Sequence, residues 1–255
     1  MNYADIAKES RLKVLDLVYK AQTSHIGSLM GCADIFAVLF SKIDLDKDKF
    51  VLSAGWKAAM LYFHLWKLGR ITQEELDSYC LDGSKWIGLA EPIHKDIIFA
   101  GGSMGMGLSA AVALAWSKKQ RGQDGQVYVL ESDGGMNCGI NWEALHFAKR
   151  EKLNNLTLII ENNGFQAMGK TEDIFPMNLV DTLYSIGWSV MRINGHNYDD
   201  IEYFFFMGKP DRPHVIVAGT TKGKGVSFME DNNLWHYAQI KEDDYQKAKA
   251  ELCQK

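Results

Sequence analysis

An α/β fold is predicted, a mostly parallel central sheet with helices on both faces, and three observations predict it. Two strand-then-turn signals, Val127-Tyr-Val-Leu-Glu-Ser-Asp-Gly-Gly135 and Leu156-Thr-Leu-Ile-Ile-Glu-Asn-Asn-Gly-Phe165, lie about thirty residues apart with a helix-compatible segment between them. That is the pattern of a βαβ unit, whose crossover brings both strand ends to one edge of a parallel sheet. Further short apolar runs at 49–53, 188–193 and 214–220 alternate with helical segments, as in other α/β chains. A glycine-rich turn, Gly101-Gly-Ser-Met-Gly-Met-Gly107, opens a helix, where free backbone N–H groups and the helix dipole can hold an anion.

Residues 4–22 place apolar side chains at Ile6, Leu12, Val14, Leu15, Leu17 and Val18, a helical spacing. Ser24-His-Ile-Gly-Ser28 breaks it, and a second helix is expected over Cys32–Phe40. Lys49–Ser53 reads as a short strand turning at Ala54-Gly55, followed by a helix over Lys57–Leu68 that Gly69 stops. Thr72-Gln-Glu-Glu75 matches a capping box. Residues 80–100 have turns and little periodicity, so an extended connection over the surface is expected there. Then come the glycine-opened helix through Ser117, a strand over Gln126–Ser132, a helix over Asn141–Lys152, strands at Leu156–Glu161 and Trp188–Ile193, a helix at Asp199–Phe206, a strand at His214–Thr220 and a charged helix over 240–253. No composition shift, low-complexity linker or internal repeat divides the chain, so residues 1–255 are expected to form a single domain.

With 255 residues, 47% apolar and 24% charged, the chain has the make-up of a globular protein with one sizeable core. A net charge of -4 gives no reason to expect nucleic acid or an anionic membrane as partner. No apolar run reaches spanning length, and the N-terminus lacks a basic-then-apolar leader. Cys32, Cys80, Cys138 and Cys253 are widely spaced without a CxxC pair, so reduced thiols in a cytoplasmic protein are expected. The seven histidines form no HExxH pair, which argues against a zinc hydrolase.

In a βαβ unit, Asp133 and Asn163 stand side by side at the C-terminal edge of the sheet, where open α/β sheets bind ligands. One carboxylate and one amide oxygen are too few for a bare ion. They suit Mg²⁺, which completes its octahedron with phosphate and water oxygens. Taken singly, Asp133-Gly134 and Asn162-Asn163-Gly164 are ordinary turn sequences; it is their pairing after two strands of one unit that points to a metal–diphosphate site.

Asp-Gly followed about thirty residues later by Asn-Asn resembles the thiamine diphosphate fingerprint, and Asp133-Gly-Gly-Met-Asn-Cys-Gly-Ile-Asn-Trp-Glu-Ala-Leu145 resembles its transketolase form. The resemblance runs from near Asp5 to near Ala248 and covers only the diphosphate-binding, N-terminal part of a transketolase, as in transketolases split into two polypeptides. It implies that Mg²⁺ (or Ca²⁺) takes the side chains of Asp133 and Asn163 and the main-chain oxygen of Phe165. Gly134 would leave room for phosphate, and the turn containing Gly102, Met104 and Gly105 would contact the cofactor. His25, in a stretch similar to the family's Gly-His-Pro-Gly, would face the substrate. His236, in Lys222-Gly-Lys-Gly…Leu-Trp-His236, would approach the diphosphate and the reacting centre, where an imidazole can donate to phosphate or relay a proton.

The same resemblance implies a second subunit carrying the pyrimidine-binding and C-terminal domains, a two-plus-two assembly with the cofactor at the interface, and small sugar or keto substrates. Apolar surface left by the missing domains would be covered by that partner; Phe204-Phe-Phe206 could contribute there, but core packing is the role expected of it. Three departures stand out. Trp56 replaces a histidine expected after the first strand, Gly88-Leu-Ala-Glu-Pro92 lacks a further family histidine, and Cys138 stands where a dimer-contact glutamate is common. They put the usual sugar-phosphate substrate in question and leave cofactor binding intact. The leading expectation is two-carbon ketol transfer from a ketose to an aldehyde. A decarboxylating acyl transferase or lyase and a non-catalytic subunit of the same fold are the alternatives. A dinucleotide-binding fold is disfavoured, because no ribose-binding acidic residue follows the glycine turn at the expected place.

Overall fold

A computed structural model describes residues 2–206 and 211–254. Five strands, β1 (Lys49–Leu52), β2 (Val127–Ser132), β3 (Leu156–Asn162), β4 (Ser189–Asn194) and β5 (His214–Gly219), form one sheet in the order β1-β2-β3-β5-β4. Every pairing is parallel. The helices are α1 (Tyr3–Ala21), α2 (Ile26–Gly31), α3 (Ala33–Lys42), α4 (Ala58–Lys67), α5 (Gln73–Asp77), α6 (Met106–Gln120), α7 (Gly139–Arg150), α8 (Thr171–Ile174), α9 (Leu179–Ser185), α10 (Tyr198–Phe206) and α11 (Glu242–Gln254).

The side-chain period of two along each strand divides the core into two layers. Phe50, Leu52, Leu130, Ile159 and Ile216 pack with α1, α3 and α4 on one face. Val51, Val127, Val129, Leu158, Ile160 and Val215 pack with α6, α7 and α9 on the other. Burying one such side chain contributes roughly 1.5–3 kcal/mol, and both layers are continuous up to the sheet's C-terminal edge.

Helix α3 is buried along Ala33–Phe40, including Asp34. Its carboxylate is tolerated because Arg11 grips it through Nη1 and Nη2 at 3.1 and 2.5 Å, while His196 Nδ1 and Tyr198 Oη lie 2.7 Å away. Burial alone would raise this carboxyl; these partners hold it down at about 2. His196 Nε2 also accepts from the backbone N–H of Thr221 at 2.8 Å, so the network ties α1 and α3 to the chain leaving β5.

Most sequence-predicted elements are present within one to three residues, and the Thr72–Glu75 capping box forms in both directions. Two expectations fail. The segment around Ser24–Ser28 is not simply a break, because α2 is helical and fully buried from Ile26. Residues 80–100 do not lie wholly on the surface: Trp86, Ala90 and Ile97 are core residues, with the Trp86 ring 5.0 Å from that of Tyr62. The segment is held by backbone bonds from Cys80 to Trp86, Ala90 to Gly55 and Gly101 to Ala90. Sequence periodicity cannot report burial that comes from isolated side chains in irregular backbone. The short helices α8 and α9 lie in a stretch that carried no prediction. Phe204 is buried in the core and Phe205 packs against it, the core role expected of this run; the side chain of Phe206 lies outside the described residues.

Candidate functional site

The C-terminal ends of β2 and β3 are in register, Ser132 opposite Glu161, and the chain continues from each into a polar turn. The Asp133 N–H donates to the Glu161 carbonyl at 3.1 Å. One carboxylate oxygen of Asp133 accepts from the Gly134 N–H, and the other accepts from the Gly164 N–H and the Thr171 hydroxyl, each at 2.9 Å. The Asn163 side-chain oxygen accepts from the Phe165 N–H at 2.9 Å. Both side chains are buried, and burial, reinforced by the nearby Glu161 charge, pushes the Asp133 carboxyl up to about 6. Among the described residues no basic side chain pairs with Asp133. A cation placed against it would favour its charged form.

A cleft of about 310 Å³ opens in front of these turns. Gly102, Met104, Gly134, Asn163 and Phe165 line it, and so do His25 and His236. Two predicted residues lie at its margin: Asp133 is almost fully buried and faces a smaller adjoining pocket, and Gly105 is the N-cap of α6. Gly105 adopts φ +80°, and a Cβ there would stand 2.5 Å from that of Cys138, so the turn needs glycine both for its backbone and for its approach to α7. Gly55 and Gly101 are forced by close approach alone, since a Cβ on Gly55 would meet the Gly101 oxygen at 2.1 Å. A larger, more open groove of about 790 Å³ adjoins the same Phe165–Thr171 loop. It has neither histidine nor the buried charges described next, so the smaller cleft is the candidate site.

His25 sits between α1 and α2 at φ +73°, and its N–H donates to the His236 carbonyl at 2.9 Å. The two rings meet edge-on with centroids 4.9 Å apart. Burial first, then Lys57 and Lys222, lowers the His25 imidazole to about 4; burial, Lys222 and His25 itself lower His236 to about 3. Both rings are therefore neutral at pH 7 in this structure, below the near-neutral titration expected from sequence. Lys222 Nζ lies 2.9 Å from His236 Nδ1. A charged ammonium has no lone pair, so Nδ1 accepts and the imidazole proton resides on Nε2.

Two functional candidates escaped sequence reasoning. Lys57 is fully buried, with Nζ 2.6 Å from Glu161 Oε2 and donating to the Ser28 carbonyl at 3.1 Å. Burial would lower it, yet Glu161 holds it above the ordinary lysine value. Lys222, also buried, donates to Asn233 Oδ1 at 2.7 Å and lies 5.7 Å from the Phe165 ring centroid. Burial and Lys57 bring it down to about 8. Lys57 belongs to no local motif, and Lys222 opens the stretch quoted for His236 without a role of its own there; only a strand end and a loop brought over α2 make them neighbours. Gln166 was likewise missed. It lines the cleft, its side-chain N–H₂ is buried without a partner, and its Cγ lies 3.2 Å from where a Gly134 Cβ would be.

A diphosphate–metal unit fits this cleft on two counts. Asp133 and Asn163 offer hard oxygens, as does the Phe165 carbonyl in the same turn, a donor set for Mg²⁺ or Ca²⁺ rather than zinc. The Gln166 donor is an unpartnered group that an anion would satisfy. Among the described residues no group of three His, Cys, Asp or Glu side chains is placed to hold a metal, so a cation here would draw on the Asp133 carboxylate together with amide, main-chain and ligand oxygens.

The departures from the expected pattern also have places. Trp56 is half-buried and lines the cleft beside His25, ring centroids 6.4 Å apart, and Leu89 lines it from the 80–100 segment. Cys138 is the N-cap of α7 and abuts Gly105. No helix is long and apolar enough to cross a membrane among the described residues.

Residues 3–255 match the family described as transketolase, thiamine diphosphate binding domain. One of the subunits of the apulose-4-phosphate transketolase of Phocaeicola vulgatus is 31% identical over 263 residues, which cover 98% of this chain and 93% of that protein. The 6-deoxy-6-sulfo-D-fructose transketolase subunit SqwG of Clostridium sp. is 31% identical over 95% of this chain and 93% of its own length. Human transketolase is 31% identical over 91% of this chain but only 39% of its own length. Among solved structures, transketolases from Leishmania mexicana and Campylobacter jejuni superpose with a TM-score of 0.92 each, at 27% and 29% identity, over 99% of this chain and 41% and 43% of theirs. The chain thus spans about two fifths of a full-length transketolase and nearly all of the relatives named as subunits, and it belongs to the transketolase family, corresponding to its thiamine diphosphate-binding domain.

Proposed function

We propose that this chain, as one domain, is the diphosphate- and metal-binding subunit of a two-chain transketolase that moves a two-carbon ketol unit from a ketose to an aldehyde. One observation carries the reading: the Asp133 and Asn163 turns meet at the β2–β3 edge of the cleft that also holds His25 and His236. Asp133, Asn163 and the Phe165 carbonyl hold Mg²⁺, while Gly134, Gln166 and the Gly102–Gly105 turn receive the diphosphate. Thiamine diphosphate, when bound, supplies the nucleophilic carbon and the electron sink that carbon–carbon cleavage next to a carbonyl requires.

In the overall reaction the donor's bond between carbonyl carbon and carbinol carbon breaks, the carbinol hydroxyl loses its proton, and a shortened aldehyde leaves. The new bond forms at the acceptor's aldehyde carbon, whose oxygen gains a proton, so no oxidant or reductant is consumed. Neutral His25 is a base for the first proton. Neutral His236, with its proton on Nε2, is a donor toward developing oxygen charge, and Lys222 supports that tautomer from behind.

A partner chain is part of the reading, because relatives of matching length are named as transketolase subunits and full-length transketolases extend well beyond the matched part. Two copies of each chain are the proposed assembly. The reaction class is tested by incubating the chain and its partner with thiamine diphosphate and Mg²⁺ and offering hydroxypyruvate with an aldehyde acceptor, or pyruvate with the same acceptor. A two-carbon-extended hydroxyketone from hydroxypyruvate alone is expected. Turnover of pyruvate alone would replace ketol transfer by decarboxylating acyl transfer.

A further inference from the structure

Near the end of β2 the apolar run gives way to Glu131, whose side chain is fully buried. Among the described residues no lysine, arginine or histidine acts on this carboxyl. Burying it is costly unless its oxygens are bonded, and both are. Oε2 accepts from the Ser53 hydroxyl, in the turn after β1. Oε1 accepts from the Ser132 N–H at 2.8 Å. An apolar side chain would fill the same space without that cost, so what the carboxyl adds is the two bonds.

Glycines close the space around it. A Cβ on Gly135 would stand 2.0 Å from Glu131 Oε1, and a Cβ on Gly107 would stand 2.4 Å from the Ser53 Cβ. Gly135 is thus seated on the carboxyl itself, and the first turn of α6 on the serine that the carboxyl holds. Gly135 is fixed further, its N–H donating to Ser132 Oγ at 2.9 Å and its carbonyl accepting from the buried Asn141 Nδ2 at 2.8 Å. The two turns that bring Gly102 and Gly134 to the cleft therefore rest on one buried carboxyl, one turn toward each oxygen.

Resting on the reading of these turns as the diphosphate site, we infer that Glu131 is a positioning residue: it joins the Gly101–Gly107 turn to the Asp133–Gly135 turn and fixes the spacing of the two backbones that receive the diphosphate. Its bonds and not a charge are what this role requires. Glutamine supplies them, because its oxygen accepts from the Ser132 N–H and its N–H₂ donates to the Ser53 hydroxyl, which accepts as readily as it donates. Leucine leaves both buried partners without the group they face.

The test compares Glu131→Gln and Glu131→Leu with the native chain in two measurements. The first is titration of thiamine diphosphate with Mg²⁺ into the chain assembled with its partner. Affinity is expected to stay within about threefold for glutamine and to fall at least about tenfold for leucine, the scale set by groups that support a site from behind. The second is hydrogen exchange of the chain without cofactor, read at the bonded amides of Gly101, Gly135 and Met136. Exchange there is expected to be about tenfold faster or more in the leucine variant, as for a buried donor left without its acceptor, while β4 and β5 keep native rates. A general loss of stability would speed exchange in those strands too.

Native affinity in the leucine variant, an equal loss in the glutamine variant, or faster exchange spread over all five strands would overturn the inference. If the native complex binds no thiamine diphosphate, the diphosphate reading fails, and exchange at the three amides decides alone whether Glu131 joins the turns; native rates there would overturn it. Should the leucine variant not fold, Ser53→Ala removes the other end of the same bond. Faster exchange at Gly101 and Gly135 is expected of it, and native rates at both would overturn the inference.

Discussion

At the Asp133 end of the cleft the functional groups come from two adjacent strands and the turns that directly follow them, and three of the four bonds to the Asp133 and Asn163 side-chain oxygens come from backbone N–H groups of those same two turns. At the His25 end, four separate segments converge: the α1–α2 junction with His25, the turn after β1 with Trp56 and Lys57, the chain after β5 with Lys222, and the loop carrying His236. The first end is preorganised by sheet register, which brings the two turns together, with Thr171 the one side chain that holds Asp133 from outside them. The second is preorganised by buried charge, with Glu161, Lys57 and Lys222 under two neutral imidazoles. The proposed diphosphate site and the two imidazoles are thus held by different physics at two ends of one cleft of about 310 Å³.

This contrast sets the size of each expected effect. Asp133→Ala removes the charged oxygen proposed as a metal ligand at the first end. The affinity of the assembled enzyme for thiamine diphosphate with Mg²⁺ is expected to fall by more than about 100-fold, beyond the range seen for outer-shell partners. Isothermal titration checks it, and retention within about tenfold would remove the metal from that end.

At the second end, Lys57→Met leaves Glu161 buried without its cation. A loss of about 3–5 kcal/mol in unfolding free energy is expected, measured by urea denaturation. Lys57→Met with Glu161→Met should recover much of it, because the isolated charge and not the lost contact is what costs. If the double variant is as unstable as the single one, the pair is not the element organising that end.

The first end was the legible one. Asp133 and Asn163 can be paired from sequence because a parallel βαβ unit fixes where two strand ends lie, and β2 and β3 obey that rule with Ser132 opposite Glu161. The glycine turn was legible too, since φ +80° at Gly105 is a demand on the backbone that composition betrays. Lys57, Lys222 and Gln166 were not. Lysine after a strand, or in a glycine-rich loop, is ordinarily a solvated surface group, and its burial here depends on α2 folding over it. The helical, buried state of Ile26–Gly31 was itself hidden by two glycines that read as a break. Trp56 and Leu89 were noted as departures in sequence, yet only the fold brings both to the cleft wall beside His25.

Smaller effects sharpen the comparison. Thr171→Ala removes one hydroxyl that holds Asp133 from outside the metal's own ligands. Its expected cost is roughly tenfold in cofactor–metal affinity, again by titration, with thermal stability little changed.

The pH dependence separates the ends as well. The proposed metal site requires the ionised Asp133 carboxylate, whose pKa burial raises to about 6. Cofactor–metal affinity is therefore expected to be flat above pH 7 and to weaken about tenfold for each pH unit lost below 6. At the other end His25 and His236 are held near 4 and 3, below the unfolded value of 6.5. The unfolded chain binds their protons first as pH falls, so their contribution to stability is present above about 6.5 and lost as pH drops from there toward 4. The melting temperature of His25→Ala should fall less between pH 7 and 5 than that of the native chain.

The most direct measurement is titration of thiamine diphosphate with Mg²⁺ into this chain mixed with its partner chain, for the native protein and for Asp133→Asn side by side. Saturable binding in the native mixture, abolished without Mg²⁺ and lost in Asp133→Asn, is the expected result. Equal binding with and without Mg²⁺, or in both proteins, would contradict the assignment of the β2–β3 edge as the diphosphate–metal site.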